Sequence, residues 1–275
     1  MKIKQIAMAV AATAMMSSAF AVPLSSVSGA SEWKLLGYTT EKNTTAGTNE
    51  STWGIGRITT MDDAGDPLWT AGENGEYLYY VIYGIADASV TPGGSFGFLI
   101  NNVGATGGVA DGKIHIDLYK SSINLSSFGS NSVTDRTGYG TFAAFAGMEL
   151  YLSTVLVPGV ITGDSSTVLT QDVNAATTPA TGVGSFYAEV TGGASATQWD
   201  TNTLLAGDAD FFGKFSAKPS TDCKTTSAAA IAGTCFEQRI DDPITAASIP
   251  EPTSISLLGM ALAGMGLALR RRKQA

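Results

Sequence analysis

Tyr77-Leu78-Tyr79-Tyr80-Val81-Ile82-Tyr83 is apolar or aromatic at every position, and Lys113-Ile114-His115-Ile116-Asp117-Leu118-Tyr119 alternates strictly. A period of two marks an extended strand, because successive side chains point to opposite faces. The second run therefore predicts a strand with Ile114, Ile116 and Leu118 against a core and Lys113, His115 and Asp117 facing out. The first run has apolar groups on both faces, which predicts a central strand covered on both sides.

Outward from these two runs, Gly, Pro, Asn and Asp punctuate short apolar stretches, and little of the chain could form a long amphipathic helix. Strands are predicted over 52–59, 76–85, 95–100, 113–119, 148–157, 184–190, 210–216 and 235–240, with loops over 104–112 and 163–182. Many short strands with frequent turn residues predict an all-β sandwich or barrel, and of the two a jelly-roll-like sandwich is the expectation. No repeat of fixed period is visible, so the body is read as one domain.

The two ends differ from the body. Lys2 and Lys4 precede an uncharged run from Ile6 to Met16, and Ala19 and Ala21 then supply the small residues of a signal-peptidase site. This order predicts a signal helix over 1–21, cut after Ala21. At the other end no charge occurs from Thr253 to Leu269, and Arg270, Arg271, Arg272 and Lys273 follow at once. A helix over that run would be roughly 25 Å long, at the short limit for a membrane span. Basic clusters stay on the cytoplasmic side, so the body is predicted to lie outside, as the signal peptide also requires.

Just before the apolar run stands Ile249-Pro250-Glu251-Pro252. Two prolines hold such a stretch extended and start a helix cleanly, having fixed φ and no N–H. Pro-Glu-Pro, a Leu/Gly/Ala-rich run and a terminal basic cluster, over 250–275, resemble the PEP-CTERM sorting tail. The resemblance implies processing by an exosortase, with Pro250, Glu251 and Pro252 as recognition residues, in a Gram-negative exopolysaccharide producer. It also implies passage through the export translocon and signal peptidase, transient anchoring by the C-terminal helix, and a final place at the cell surface or in the matrix. Phe186-Tyr187-Ala188-Glu189-Val190, Gln198-Trp199-Asp200, Asp210-Phe211-Phe212 and Asp242-Pro243 resemble the ectodomain of one group of such proteins.

The predicted body, 22–249, keeps 10 Lys and Arg against 23 Asp and Glu once the two ends are removed, a formal charge of −13. Such a surface repels nucleic acid and anionic lipid. Cys223 and Cys235 are the chain's only cysteines. An isolated pair in an exported chain predicts one disulfide.

Candidate chemistry is sparse. Gly93-Gly94-Ser95-Phe96-Gly97 fits a nucleophile-elbow pattern, but the residues after Ser95 read as a strand, where a helix is needed. His115 is the only histidine and is read as an exposed strand residue. Asp62, Asp63 and Asp66 form a turn-like acidic cluster that could hold Ca²⁺ weakly, as could Asp208 and Asp210, but Asx-turn chemistry explains them without a metal. Trp33, Trp53, Trp69 and Trp199 could stack on sugar rings or fill a core. Asn43, Asn49 and Asn124 begin Asn-x-Ser/Thr triplets that a Ser- and Thr-rich chain produces by chance. The expectation is a non-enzymatic matrix or surface protein without a required cofactor. A calcium-assisted carbohydrate-binding module is the alternative, and a hydrolase working through paired carboxylates comes third.

Overall fold

The structure, a computed structural model, describes residues 23–39, 51–86, 89–90, 95–98, 111–125, 147–165, 167–174, 181–219 and 238–248. Twelve strands lie among the described residues: β1 (Gly29–Thr39), β2 (Ser51–Asp63), β3 (Asp66–Thr70), β4 (Tyr77–Ala86), β5 (Ser89–Val90), β6 (Ser95–Phe98), β7 (His115–Ser121), β8 (Glu149–Val157), β9 (Leu169–Asn174), β10 (Thr181–Gly192), β11 (Phe211–Pro219) and β12 (Gln238–Ser248). The one α-helix among the described residues, α1, is the single turn Ala196–Trp199.

Eight of these strands close on themselves in the order β11-β12-β1-β2-β4-β7-β8-β10 and back to β11, each pair antiparallel. The fold is therefore a barrel, which corrects the expected jelly-roll sandwich. Alternation is the same in both architectures, and only the β10–β11 pairing, invisible in sequence, distinguishes a ring from two facing sheets. β10 makes closure possible by using both edges. One edge runs along β11, and the other is shared end to end between β8 and β9, which leads on to β6 and β5. The presence of β9 also corrects the loop expected over 163–182. β3 folds back on the end of β2 through a tight hairpin, with Ala64 and Gly65 at φ 50° and 96°. The described residues include no helix long and apolar enough to cross a membrane, and the predicted signal and tail helices lie outside them.

One face of every barrel strand feeds a common interior. Trp33, Ile58, Tyr80, Ile116, Leu118, Leu152, Leu156, Phe186, Ala188, Phe211 and Ile244 belong to one buried cluster drawn from all eight strands. Eight strands leave an interior that side chains can just fill. Large rings fit because glycine lies beside them on neighbouring strands. Tyr80 sits opposite Gly56, which in turn pairs with Gly37, and a Cβ at either glycine would collide with the phenol. Phe186 faces Gly213 in the same way, and Phe215 faces Gly184. Glycine under an aromatic ring also eases the bending that a closed sheet needs. Gly213→Ala is expected to lower stability by about 1 to 3 kcal/mol, the usual effect of overpacking. Urea denaturation checks this, and the double variant Gly213→Ala/Phe186→Leu should lose less than the two single losses combined, because the two residues share one contact.

α1 and the 3-10 turn Leu24–Ser26 close one end of the barrel. Gln198 Nε2 donates to the carbonyls of Leu24 (3.1 Å) and Val27 (2.9 Å), binding the two pieces together. Trp199 Nε1 donates to the Tyr151 hydroxyl at 2.9 Å, and its ring meets Trp33 edge-on at 4.6 Å. The backbone N–H of Leu24 donates to Glu76 Oε2, while Lys120 holds the other oxygen of that carboxylate at 3.1 Å. At this same end, Gly29 of β1 lies directly opposite Ser248 of β12.

Candidate functional site

The outer face of β4, β7 and β8 carries a polar network. His115 and Asp117 do point away from the interior, as alternation predicts, but they are buried at 4% and 5% exposure. This corrects the exposed reading of His115. The cause is a second hydrophobic layer outside the barrel wall, built from Ile55, Tyr79, Val81 and Tyr83 with Tyr38, Tyr77, Tyr119, Leu125 and Met148 packed against it. Period two gives a side chain's direction, and whether a second layer covers that face depends on tertiary structure.

Within this layer Asp117 accepts hydrogen bonds from Ser153 Oγ (2.7 Å) and Tyr83 Oη (2.9 Å). His115 stacks on Tyr83 with ring centroids 5.0 Å apart, and its Nε2 lies 2.9 Å from Asp111 Oδ1. Its buried Nδ1 has no hydrogen-bond partner among the described residues. Burial pushes the Asp117 carboxyl above the ordinary carboxylate range, against the opposing pull of Ser153, Tyr83 and His115. The His115 hydrogen bond holds Asp111 below that range.

A carboxyl whose folded pKa is raised binds protons more readily folded than unfolded. The stability it contributes is complete below its unfolded pKa, near 3.8, and is lost as pH rises through the higher folded value. Asp117→Asn should therefore remove part of the fall in stability above pH 3.8. Chemical denaturation of both proteins across the acidic range checks this, and parallel curves would show that Asp117 does not titrate differently on folding.

The remaining sequence candidates do not converge on this network. Ser95 opens β6 and pairs with Asp172 of β9, so it sits in a strand and lacks the turn into a helix that an elbow requires. β6 is separated from β7 in the sheet by β9, β10 and β8. Asp62 is buried and ion-paired with Lys34, while Asp63 and Asp66 are exposed and flank the β2–β3 turn. No group of three or more His, Cys, Asp or Glu able to hold a metal exists among the described residues.

Asp210 is fully buried, and its carboxylate accepts from the backbone N–H groups of Val190, Thr201 and Asn202. Its oxygens are thus committed to the chain itself. Trp33, Trp69 and Trp199 are buried to 1% exposure or less, so they offer no stacking face to a sugar. The side chain of Trp53, and residues Cys223 and Cys235, lie outside what the structure describes, as do Ala19, Ala21, Pro250 to Pro252 and Arg270 to Lys273.

What the structure does place is the point from which the C-terminal tail departs. β12 runs between β11 and β1 and ends at Ser248, one residue before Ile249-Pro250-Glu251-Pro252. The family model for the PEP-CTERM protein-sorting motif matches residues 248–273. No curated protein and no solved structure matches the chain. The motif implies export, transit through a membrane-anchored state and an exosortase as processing partner. The chain is a β-barrel protein whose last barrel strand leads directly into a C-terminal PEP-CTERM protein-sorting motif.

Proposed function

We propose that this protein is a non-enzymatic component of the bacterial surface or extracellular polysaccharide matrix, delivered as a folded barrel and processed by an exosortase through its tail. The observation that carries this reading is the sorting motif at 248–273, continuous with β12. Among the described residues, apolar and aromatic side chains from all eight strands pack into one buried cluster in the barrel, consistent with a structural role. Asp117 and Ser153, two of the residues most suggestive of chemistry, are hydrogen-bonded to each other, and the third, His115, is hydrogen-bonded to Asp111.

Signal peptide, body and tail act in sequence in this reading. The N-terminal signal segment directs export, the tail holds the barrel at the inner membrane, and the exosortase then removes the anchor. The body's formal charge of −13 keeps it soluble at high local concentration and away from nucleic acid and anionic lipid. A matrix component needs that solubility once its anchor has gone.

Deleting Pro250–Ala275 is the test. The full chain, expressed in its own host, is expected in the surface and matrix fractions with its tail removed. The shortened chain should leave the membrane fraction and fail to reach those fractions. Unchanged distribution of the truncated protein would overturn the reading.

A further inference from the structure

Arg57 lies on the outer face of β2, opposite Leu36 of β1 on one side and Tyr79 of β4 on the other. Tyr79 and Ile55, two residues along β2, belong to the outer apolar layer and are buried. Arg57 is itself only partly exposed and stands at the margin of that layer. Among the described residues its guanidinium has no hydrogen bond and no ion pair, and its Nε is buried without a partner. Other cations of the wall are placed differently. Lys34 pairs with Asp62, Lys120 lies between Glu76 and Glu149, and Lys214 is exposed over the Phe212 ring.

An arginine stays charged at physiological pH, and a charge drawn partly out of water without a partner costs stability. The body carries 23 Asp and Glu, yet neither position directly opposite Arg57 holds one. A local rule broken without compensation inside the fold points to a use outside it.

Charge and shape define the ligand. With Nε closed off, the two terminal nitrogens remain to meet it, a two-pronged donor of single positive charge. A carboxylate matches that fork in both charge and geometry, whereas a phosphate carries more charge than one guanidinium offsets. Tyr38 and Tyr77, both partly exposed, occupy the diagonal positions on the flanking strands, within reach of a group held at Arg57. Their rings offer apolar faces on which a sugar ring can lie. The body's formal charge of −13 repels a polyanion at long range, so only short-range contacts at a defined point can hold one.

We propose that Arg57, flanked by Tyr38 and Tyr77, is a binding site for a carboxylate-bearing sugar of an acidic polysaccharide. The sugar carboxylate accepts paired hydrogen bonds from the terminal guanidinium nitrogens, and the pyranose lies against the phenol rings. The choice of a polysaccharide over other carboxylates rests on the matrix reading above. The site gives a barrel that has lost its anchor a means of staying in the matrix.

Calorimetric titration of the full chain, solubilised in a neutral detergent, with oligogalacturonate and oligoglucuronate is the test. At least one of the two should bind, and its methyl ester, which keeps the rings and loses the charge, should bind about tenfold more weakly or worse. Arg57→Gln should lose a similar factor, and Arg57→Lys, which keeps the charge without the fork, should fall between. Because the guanidinium has no partner in the fold, both variants should keep the wild-type urea midpoint, which separates lost binding from lost folding. Lys214→Gln removes the same charge three strands away in the wall and should bind as wild type does.

No binding to either oligosaccharide overturns the site. So does an equal loss in Lys214→Gln, because binding then follows overall charge. Polyglutamate binding as tightly as the sugars overturns the assignment to a polysaccharide in favour of an acidic protein. The tail deletion reads the matrix proposal separately. If it leaves the distribution unchanged while Arg57-dependent sugar binding persists, the matrix reading fails and the site stands. If it shifts the distribution and the full chain binds neither sugar, the site alone fails.

Discussion

Trp199→Ala is expected to destabilise the barrel by about 3 to 5 kcal/mol, the usual loss for truncating a buried tryptophan. In a body of this size that corresponds to a fall in Tm of roughly 10 °C. The indole is completely buried in the closed end and lies against Trp33 at 4.6 Å and Phe211 at 6.2 Å. Removing it opens a cavity where α1 meets the barrel wall. It also takes a donor from the Tyr151 hydroxyl, whose pKa burial pushes up to about 12, so that the group stays a neutral phenol.

Trp199→Phe separates the two contributions. It keeps most of the apolar volume and deletes only the N–H to Tyr151, a bond worth about 1 kcal/mol. Urea denaturation of the three proteins checks the series. A loss below about 1 kcal/mol for the alanine variant would show that the end can collapse around the missing ring. Because Gln198 ties α1 to the Leu24–Ser26 turn, the same variant should weaken that turn as well.

How much of this could be read from sequence varies with the range of the interaction. β4 and β7 were legible because a buried strand and an alternating strand each leave a local pattern, and the observed bounds Tyr77–Ala86 and His115–Ser121 lie within two residues of expectation. β1 leaves no such local pattern. Its Ser31, Glu32 and Lys34 break up the apolar pattern, and its position is fixed instead by β12, more than 200 residues away. β9 was hidden in a Thr- and Ala-rich stretch that has turn composition, and it forms because β10 has a free edge to offer. Ring closure through β10 and β11 left no trace at all.

Among the sites, the sorting motif was legible, because such a signal is written locally in the sequence, and the family model matches it at 248–273. His115 was misread because its burial depends on Ile55, Tyr79, Val81 and Tyr83 forming a second layer. The acidic residues divide along the same line. Asp63 and Asp66 do what their turn context suggests. Asp62 and Asp210, alike in sequence, are buried and bond to partners on other strands.

Asp210 is the residue where that difference should be largest in energy. Its Oδ1 accepts from the N–H groups of Thr201 and Asn202, both at 2.6 Å, and its Oδ2 accepts from Val190 N–H at 2.8 Å. One carboxylate thus ties β10 to the loop that follows Trp199 and keeps α1 seated. That loop contains Asn202, Leu205 and Ala206 at positive φ, a conformation that costs energy and persists only where the surroundings enforce it. Asp210→Ala strands three backbone donors and removes the enforcement together. A buried donor left without a partner costs about 1 to 3 kcal/mol, and two of these three are only partly buried, so a total of about 3 to 5 kcal/mol is expected.

Asp210→Asn keeps an acceptor for Thr201 and Asn202 but turns an amide N–H₂ toward Val190 N–H, donor against donor, and should lose about half as much. Hydrogen exchange reads the mechanism directly. In the alanine variant the amides of Val190, Thr201 and Asn202 should lose protection before the rest of β10 does. If those three amides keep their protection while global stability falls, the carboxylate acts through packing, and its hydrogen bonds do not hold the loop.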